Sequence, residues 1–320
     1  MEKNTIAGPP PRPARSEQPA PGLGAALRAL VRGMRPQQYS KNLVVLTPAL
    51  FGQHYDARTV ALTATAFLAF CAASSATYLV NDAIDVEADR AHPVKRSRPL
   101  AAGLVPVSTA VATAGVLAAA GLALAFAVGP ALGAALLGYL ALQAAYNARL
   151  KREPIVDVMA VALGFVLRAL GAGAATGIVL SGWFLLCVAL LALYLGIEKR
   201  KSELTRMGAT ATTRAVLGIY TTSLLSRMEG MVAASALMSY SLWAAQRVPD
   251  HTMLATVPMV AYVMFRYQML SENGSTEAPE LAMARSPHIV LAVALWGLLS
   301  AGILLLHSAG THLPVCASNC

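Results

Sequence analysis

Long runs of apolar residues dominate the sequence, and they constrain its fold more than any other feature. Most of them are roughly 18 to 25 residues long, the length that an α-helix needs to cross a bilayer. Charged residues make up only 13% of the chain and its mean hydropathy is +0.56, whereas soluble domains contain about 25% charged residues. The sequence therefore predicts an all-α polytopic membrane protein, and it excludes a disordered, collagen-like or disulfide-stabilised chain.

Nine apolar stretches predict nine transmembrane helices, at about residues 41–56, 60–82, 104–127, 129–147, 155–176, 180–197, 214–244, 251–269 and 287–307. The loops between them are too short for a separate soluble domain, so we expect one transmembrane domain at 23–310. Its first part, residues 23–34, is amphipathic and is expected to lie along the membrane surface. Residues 1–22 are rich in proline and lack a signal-peptide core, which predicts a disordered tail. Residues 311–320 form a short polar tail.

Lysine and arginine are distributed unevenly around the apolar stretches. Only Arg58 and Arg247 fall in the loops after the first and seventh stretches, and the loops after the third and fifth contain no such residue. Because cytoplasmic loops carry the excess of basic residues, the N-terminus is expected in the cytoplasm and the C-terminus outside the cell (inner) membrane. The cations flank apolar stretches and form no continuous basic domain, which argues against nucleic acid as a partner.

Four acidic residues lie in segment 81–89, where the second apolar stretch ends. At about 100° per helical residue, Asp82, Asp85 and Asp89 fall within an arc of about 60°, and Glu87 points to the opposite side. Three carboxylates on one helix face repel each other unless a cation lies among them, and hard oxygen ligands suit Mg²⁺. The alternative is a solvated helix end with ordinary surface acids.

A basic segment follows directly, with Arg90, Lys95, Arg96 and Arg98 in sequence. Basic loops beside a membrane often act only as signals of orientation. Next to an acidic metal-binding face, however, such cations would complete a pocket for a metal-bound polyphosphate.

These two segments resemble a known motif. Asn-Asp-x-x-Asp-x-x-x-Asp at 81–89, followed by Arg-x-His-Pro-x-Lys-Arg-x-Arg-Pro-Leu-Ala-Ala-Gly at 90–103, is similar to the first motif of the UbiA superfamily of intramembrane transferases. The resemblance extends over most of the chain, from about residue 35 to residue 305. It implies a UbiA-like helical bundle with a cytoplasm-facing pocket, in which the same three aspartates are catalytic and bind Mg²⁺, with Mn²⁺ as the alternative metal.

The superfamily usually has a second aspartate-rich motif after the sixth stretch, but this chain departs from it. Residues 198–203 read Glu-Lys-Arg-Lys-Ser-Glu, which is basic where a second metal-binding face would be acidic. A cationic loop suits a donor with phosphate at both ends, such as phosphoribosyl pyrophosphate. The decaprenyl-phosphate phosphoribosyltransferase branch of the superfamily is resembled by the segments at 35–42, 164–169, 181–186 and 199–204.

The resemblance to this branch implies a membrane-embedded glycosyltransferase. It would transfer 5-phosphoribose from phosphoribosyl pyrophosphate to a polyprenyl (decaprenyl) phosphate, releasing pyrophosphate, in the synthesis of a cell-wall arabinan precursor. The resemblance also hints at a homo-oligomer. The expected substrate-binding residues are Lys41, Asn81, Lys95, Arg98, Tyr146, Asp157, Arg168, Lys199, Arg200 and Glu203. Five of them are expected to clamp phosphate groups: Lys41, Lys95, Arg98, Lys199 and Arg200.

The fifth apolar stretch carries two charges on its inward face. Asp157 and Arg168 lie about 16 Å apart along a helix, at 1.5 Å per residue, so they cannot pair with each other. Each needs another partner, which is either a charged substrate or an interhelical salt bridge. Arg168 is expected to bind the pyrophosphate or the acceptor phosphate. Tyr146 is expected either to contact substrate or to anchor the membrane interface.

Two other functions compete with this interpretation. The first keeps the fold and moves a prenyl group from a prenyl diphosphate to an aromatic or lipid acceptor; the basic segment 198–203 argues against it. The second is a transporter, for which intramembrane charges would also be expected, but the chain shows no inverted repeat. One position departs from the resembled branch: Ser226-Arg227 stands where relatives tend to have an acidic residue.

Overall fold

A computed structural model describes residues 22–52, 56–207, 218–272 and 286–308, and the regular elements in these ranges are all helices. The α-helices are α1 (Leu23–Met34), α2 (Thr47–Gly52), α3 (Ala57–Ile84), α4 (Val86–Ala91), α5 (Val107–Val128), α6 (Pro130–Ala148), α7 (Val156–Thr176), α8 (Gly182–Met207), α9 (Thr222–Arg247), α10 (Val257–Glu272) and α11 (Pro287–Ser308). Short 3₁₀ helices lie at Pro36–Leu46, Lys95–Ser97, Leu150–Arg152 and Thr252–Thr256. The predicted tails lie outside the described residues, except for Gly22.

Five of the described helices are long and apolar enough to cross a membrane by length and composition: α3, α5, α7, α8 and α11. The predicted all-α fold is therefore confirmed for the described residues, and these five helices agree with the prediction of an integral membrane protein. The number of nine transmembrane helices stays a prediction. The seventh predicted stretch begins at residue 214, outside the described residues, and α9 begins at Thr222.

The first predicted stretch, 41–56, does not form one continuous helix. Residues Pro36–Leu46 form a 3₁₀ helix and are followed by the six-residue α2. This segment packs against α3 and α7, and the side chain of Asn42 is fully buried among polar partners on those two helices. Polar residues inside the apolar run thus turn the segment toward the interior of the bundle, where their hydrogen bonds are satisfied.

Two hydrophobic clusters hold the bundle together on either side of α7. Phe70 of α3 packs against Leu132 and Tyr139 of α6 in the first cluster. Phe51 of α2 packs against Trp243 of α9 in the second, with ring centroids 4.9 Å apart in an edge-to-face arrangement. The two clusters fix the helices that surround the pocket described below.

The close approach of α3 and α7 requires a glycine. A Cβ atom at Gly171 would lie 2.8 Å from the ring of Phe70, closer than side-chain atoms can approach. Small residues at helix interfaces of membrane proteins allow such close packing. The absence of a side chain at Gly171 therefore allows α7 to pack closely against Phe70 of α3.

The N-terminal segment begins with the amphipathic helix that the sequence predicts. Helix α1 covers Leu23–Met34, buries Ala29 against α3, and leaves Leu27 and Val31 exposed. It ends at Arg35, whose left-handed backbone (φ 56°) and following proline terminate the helix. This turn directs Arg35 toward the end of α3.

Candidate active site

A pocket of about 1280 Å³ opens among α3, α6, α7, α8 and α11. Its polar end lies where α3 and α6 end, beside Lys199 and Arg200 of α8, and its apolar part is formed by α7, α8 and α11. Most of the predicted site residues line it: Lys41, Asn81, Asp85, Asp89, Lys95, Arg98, Tyr146, Arg168, Lys199 and Arg200. Asp82, Asp157 and Glu203 lie directly behind this wall and contact residues that line it.

The acidic segment is not one continuous helix. Helix α3 ends at Ile84, Asp85 has a non-helical backbone (φ −89°, ψ 7°), and α4 begins at Val86. Asp82 and Asp89 still converge, because Arg98 Nη1 lies 3.1 Å from Asp82 Oδ1 and 2.6 Å from Asp89 Oδ2. Their convergence across the break brings two of the three predicted carboxylates to one cation.

The third carboxylate has a different partner. The Nζ atom of Lys151 lies 3.2 Å from each carboxylate oxygen of Asp85. Within the described ranges, no group of three or more acidic, histidine or cysteine side chains is close enough together to hold a metal ion. Asp85 thus pairs with a different basic side chain from the one that Asp82 and Asp89 share.

Glu87 points away from the pocket. Its carboxylate pairs with Arg90 at 2.5 Å and its side chain is 81% exposed. The helical spacing predicts that Glu87 points away from the three aspartates, and its exposed position agrees with this prediction.

Asp82 is the residue that best fits a divalent cation. Its side chain is 2% exposed and its Oδ1 accepts from Arg35 Nη2 at 2.5 Å. Its Oδ2 is buried and has no hydrogen-bond partner among the described residues, an arrangement that folded proteins normally avoid. Carboxylate oxygens are among the hard ligands that Mg²⁺ prefers, and Asp89 shares the Arg98 guanidinium with Asp82, so these two carboxylates lie close together. The donor set therefore fits a hard divalent cation.

The basic segment is anchored by His92. The backbone N–H groups of Val94 and Lys95 donate to His92 Nδ1 at 3.1 and 3.2 Å. Desolvation, together with the positive charge of Lys95, lowers the pKa of His92 below its ordinary value, which favours the neutral ring that accepts these bonds. The ring thus holds the turn that carries Lys95 into the pocket.

Arg168 lies in the pocket wall within the membrane-spanning part of α7 and is 4% exposed. Its guanidinium donates to Asn42 Oδ1 at 2.6 Å, to the Gly164 carbonyl at 2.9 Å and to Tyr139 Oη at 2.9 Å. It also lies 4.5 Å from the centroid of the Tyr139 ring. These described partners are all uncharged, so they orient the guanidinium without neutralising it.

Asp157, in contrast, forms an interhelical salt bridge, which was one of the two kinds of partner expected for it from the sequence. It is completely buried, and Arg200 Nε donates to its Oδ2 at 2.6 Å. Arg200 Nη1 also donates to Glu203 at 2.8 Å, and Nη2 donates to Tyr146 Oη at 3.3 Å. Arg200 therefore has acidic partners within the protein, although it also lines the pocket.

The basic segment 198–203 continues α8 as a helix, so its charges point in two directions. Lys199 and Arg200 line the pocket. Glu198 is fully buried elsewhere, and Lys201 Nζ lies 2.7 Å from Glu229 Oε2 on α9. The pocket wall formed by α8 is therefore basic.

Sequence reasoning missed several residues of this site. Arg35 and Lys151 pair with the aspartates, and Tyr220 donates a hydrogen bond to Asp157 at 2.8 Å. Two of them could have been expected from the sequence. Arg35 lies in the segment 35–42, which resembles the phosphoribosyltransferase branch, and Lys151 lies five residues after Tyr146. No sequence pattern pointed to Tyr220. Arg227 does not reach the pocket wall, since its guanidinium donates to the Ser223 hydroxyl at an exposed position.

A model of the UbiA prenyltransferase family matches residues 42–286 of the chain. The chain belongs to this family. The match confirms the resemblance seen in the first motif, and it identifies the chain as a membrane-embedded transferase.

Curated relatives and solved structures agree with this assignment. A decaprenyl-phosphate phosphoribosyltransferase of Corynebacterium glutamicum is 39% identical over 83% of this chain and 83% of its own length. One of Mycolicibacterium smegmatis is 41% identical over 72% of this chain and 76% of its own length. The fold is similar to that of a UbiA homolog from Archaeoglobus fulgidus bound to GPP and Mg²⁺, with a TM-score of 0.65 and 18% identity, covering 89% of this chain and all of that one.

Proposed function

We propose that this UbiA-family protein transfers 5-phosphoribose from phosphoribosyl pyrophosphate to a polyprenyl phosphate and releases pyrophosphate. The observation that carries the proposal is the pocket wall formed by α8, where Lys199 and Arg200 face a pocket whose α3 side carries aspartates. An acidic wall and a basic wall suit a donor with a pyrophosphate at one end and a monophosphate at the other. The names of the curated relatives support the same reaction.

The aspartates at the end of α3 would hold the metal ion and with it the donor pyrophosphate. Asp82, Asp85 and Asp89 are the proposed ligands, and Asn81 lies beside them. When bound, Mg²⁺, or Mn²⁺ as the alternative, neutralises the charge of the leaving pyrophosphate. The Mg²⁺ bound to the archaeal UbiA homolog supports this role. Arg98 pairs with two of these carboxylates, so its guanidinium is placed to bind pyrophosphate oxygens beside them.

The basic side chains around the polar end would clamp the phosphates of the donor. Lys95 and Arg98 lie on the α3 side of the pocket, Lys41 in the N-terminal segment, and Lys199 on the α8 side. Charge-assisted hydrogen bonds to phosphate are among the stronger interactions in proteins. We assign the 5-phosphate to Lys199 and the pyrophosphate to Lys95 and Arg98.

The reaction itself needs little covalent chemistry from the protein. The bond between the ribose anomeric carbon and pyrophosphate breaks, and its electron pair leaves with pyrophosphate. A phosphate oxygen of the lipid then bonds to the same carbon. A phosphate dianion is already a nucleophile, so no residue has to act as a general base. The chain contributes orientation and electrostatic stabilisation of the leaving group.

Arg168 is the proposed contact of the acceptor phosphate. Its positive charge is oriented by neutral groups, and a buried charge of this kind favours an anionic ligand. The apolar part of the pocket beyond it, lined by Phe165, Leu195, Ile289 and Val293, would hold the first part of the polyprenyl chain. The acceptor phosphate would then meet the donor at the boundary of the polar and apolar parts.

The orientation in the membrane is part of the proposal. The described cations gather around the polar end of the pocket, including Arg35, Lys95, Arg98, Lys151 and Arg152. Because basic residues favour the cytoplasmic side, we infer that the N-terminus and the active site are cytoplasmic. The nine apolar stretches of the sequence would form nine transmembrane helices in the cell membrane, which places the C-terminus outside. Residues 23–310 would form the transferase domain, and assembly as a homo-oligomer is part of the same proposal.

The test is transfer of radiolabel from phosphoribosyl pyrophosphate into an organic-soluble lipid. Purified protein would be incubated with decaprenyl phosphate and Mg²⁺, and a parallel sample would contain EDTA. We expect lipid labelling that depends on the metal. A folded protein that labels no lipid, but transfers a prenyl group from a prenyl diphosphate to an aromatic or lipid acceptor, would overturn the proposal in favour of the family's other chemistry.

A further inference from the structure

Tyr220 connects the segment before α9 to the start of α7, although it does not line the pocket. It precedes α9, is 4% exposed, and its hydroxyl makes two hydrogen bonds to the start of α7. It accepts from the Ile155 backbone N–H at 2.5 Å and donates to Asp157 Oδ1 at 2.8 Å. One hydroxyl thus ties the loop before α9 to both the backbone and a buried carboxylate of α7.

The backbone that Tyr220 contacts is strained. Ile155 has φ 68° and ψ −48°, a conformation that β-branched residues rarely adopt. The N–H of Val156 donates to the Pro154 carbonyl at 2.7 Å, which closes a γ-turn around Ile155. The Ile155 side chain is 49% exposed, so its burial does not enforce the turn. Strain of this kind persists where surrounding contacts enforce it and is often found at functional sites.

Asp157 connects Tyr220 to residues that line the pocket. Its Oδ1 accepts from Tyr220 and its Oδ2 accepts from Arg200 Nε at 2.6 Å. Arg200 in turn donates to Tyr146 Oη at 3.3 Å, and both of these residues line the pocket. A continuous hydrogen-bonded chain therefore runs from Tyr220 through Asp157 and Arg200 to Tyr146. We call it the α7–α8 relay.

We propose that Tyr220 is a positioning residue for the phosphoribosyl donor. It fixes the Asp157 carboxylate, which holds Arg200 and thereby Tyr146 in the orientation that the basic wall requires. This inference rests on the proposed function, because the basic wall is where we place the 5-phosphate of the donor. Arg200 then serves mainly to orient the wall, whereas Lys199 supplies charge to the donor.

The hydroxyl of Tyr220 is suited to this role at all physiological pH values. Burial raises the pKa of Tyr220 to about 12, so the group stays protonated and donates to Asp157. Its ring packs against Val158, Ile197 and Leu225 in a hydrophobic cluster. Replacement by phenylalanine keeps this packing and removes only the two hydrogen bonds.

The experiment compares Tyr220→Phe with a matched control, Tyr194→Phe. Tyr194 is 2% exposed and donates one hydrogen bond to the Met264 carbonyl at 3.0 Å, on a side of α8 that does not line the pocket. Binding of phosphoribosyl pyrophosphate to the full-length protein in detergent with Mg²⁺ would be measured by calorimetry. We expect Tyr220→Phe to weaken it roughly tenfold, because donor binding must then restore the orientation that the hydrogen bond to the charged Asp157 held in place. Tyr194→Phe should leave donor binding within about twofold of wild type.

Kinetics and a double variant distinguish positioning from general destabilisation. Tyr220→Phe should raise the KM for the donor and leave the KM for polyprenyl phosphate unchanged. If Tyr220 acts through the α7–α8 relay, combining it with Tyr146→Phe should weaken donor binding no more than the larger single effect. Additive losses, equal losses in the Tyr194 control, or donor binding unchanged in Tyr220→Phe would each overturn the inference.

Two further outcomes, a wild-type protein that does not bind the donor and a variant that does not fold, can be distinguished from those above. If wild-type protein binds no phosphoribosyl pyrophosphate, the proposed function fails and this inference fails with it. If Tyr220→Phe does not fold, Asp157→Asn removes the charge from the same relay at nearly constant size, and it should weaken the donor selectively. An Asp157→Asn protein with wild-type donor affinity would overturn the inference by itself.

Discussion

Lys151 and Asp85 join two loops across the polar end of the pocket, with Lys151 Nζ 3.2 Å from both carboxylate oxygens of Asp85. Lys151 follows α6, whereas Asp85 stands at the break between α3 and α4. Asp85 is therefore held by one cation and lies open to the pocket. This arrangement leaves it accessible to a metal-bound pyrophosphate.

The first prediction uses the contrast between Asp85 and Glu87. Asp85→Ala should lower kcat/KM at least about 100-fold, since it removes a proposed metal ligand, while the protein remains folded. Glu87→Ala should retain activity within about twofold, because Glu87 is exposed and pairs with Arg90 at the surface. Steady-state kinetics of both variants would check this, and equal losses at the two positions would contradict the proposed role of Asp85.

The second prediction concerns removal of the metal. EDTA should abolish transfer but shift the unfolding temperature by no more than about 3 °C. The reason is that Arg35 and Arg98 already pair with Asp82, and Arg98 also pairs with Asp89, so the carboxylates keep cationic partners without metal. Thermal unfolding with and without EDTA would measure this. A large destabilisation by EDTA would mean that the metal is part of the fold.

Much of the fold follows from local patterns, and the exceptions have physical causes. The apolar lengths of α3, α5, α7 and α11 predict those helices within a few residues. The prediction of one continuous helix at 41–56 is wrong, because a polar residue in this stretch, Asn42, forms its hydrogen bonds with residues that are distant in sequence. A hydropathy pattern registers the polarity of Asn42 but carries no information on where Arg168, 126 residues later, lies.

The candidate site shows the same division. The sequence predicts which residues gather at the pocket, and ten of the predicted residues line it. It does not predict how charges pair within the pocket, because pairing depends on the backbone break at Asp85 and on cations from other loops. Arg98 could be expected near the aspartates from its position in the same motif. Tyr220 could not, because a single tyrosine near the start of a helix has no distinguishing pattern.

The third prediction tests Arg168 as the contact of the acceptor phosphate. Arg168→Lys keeps the charge, but one ammonium group cannot reproduce the guanidinium bonds to Asn42, Gly164 and Tyr139. The KM for polyprenyl phosphate should rise about tenfold, as for loss of a well-placed charged hydrogen bond, with the donor KM unchanged. Arg227→Lys, at an exposed position on α9, is the matched control. A selective change in the donor KM would instead place Arg168 at the pyrophosphate.

The last prediction separates two lysines that lie two residues apart on α8. Lys199 lines the pocket, whereas Lys201 Nζ lies 2.7 Å from Glu229 and 3.9 Å from the fully buried Glu198. Lys199→Ala should raise the donor KM about tenfold, as expected for one charged phosphate contact. Lys201→Ala should destabilise the protein by about 3 to 5 kcal/mol, because it leaves the buried carboxylate of Glu229 without its cation.

Both effects can be measured on the same preparations, by thermal unfolding in detergent and by donor-dependent kinetics. Lys201→Ala protein that remains folded at the assay temperature should keep a donor KM close to that of wild type, because the lysine faces α9 and not the pocket. An unchanged donor KM in Lys199→Ala would contradict the assignment of the 5-phosphate to the basic wall. Unaltered stability in Lys201→Ala would contradict the structural role assigned to the ion pair of Lys201 and Glu229.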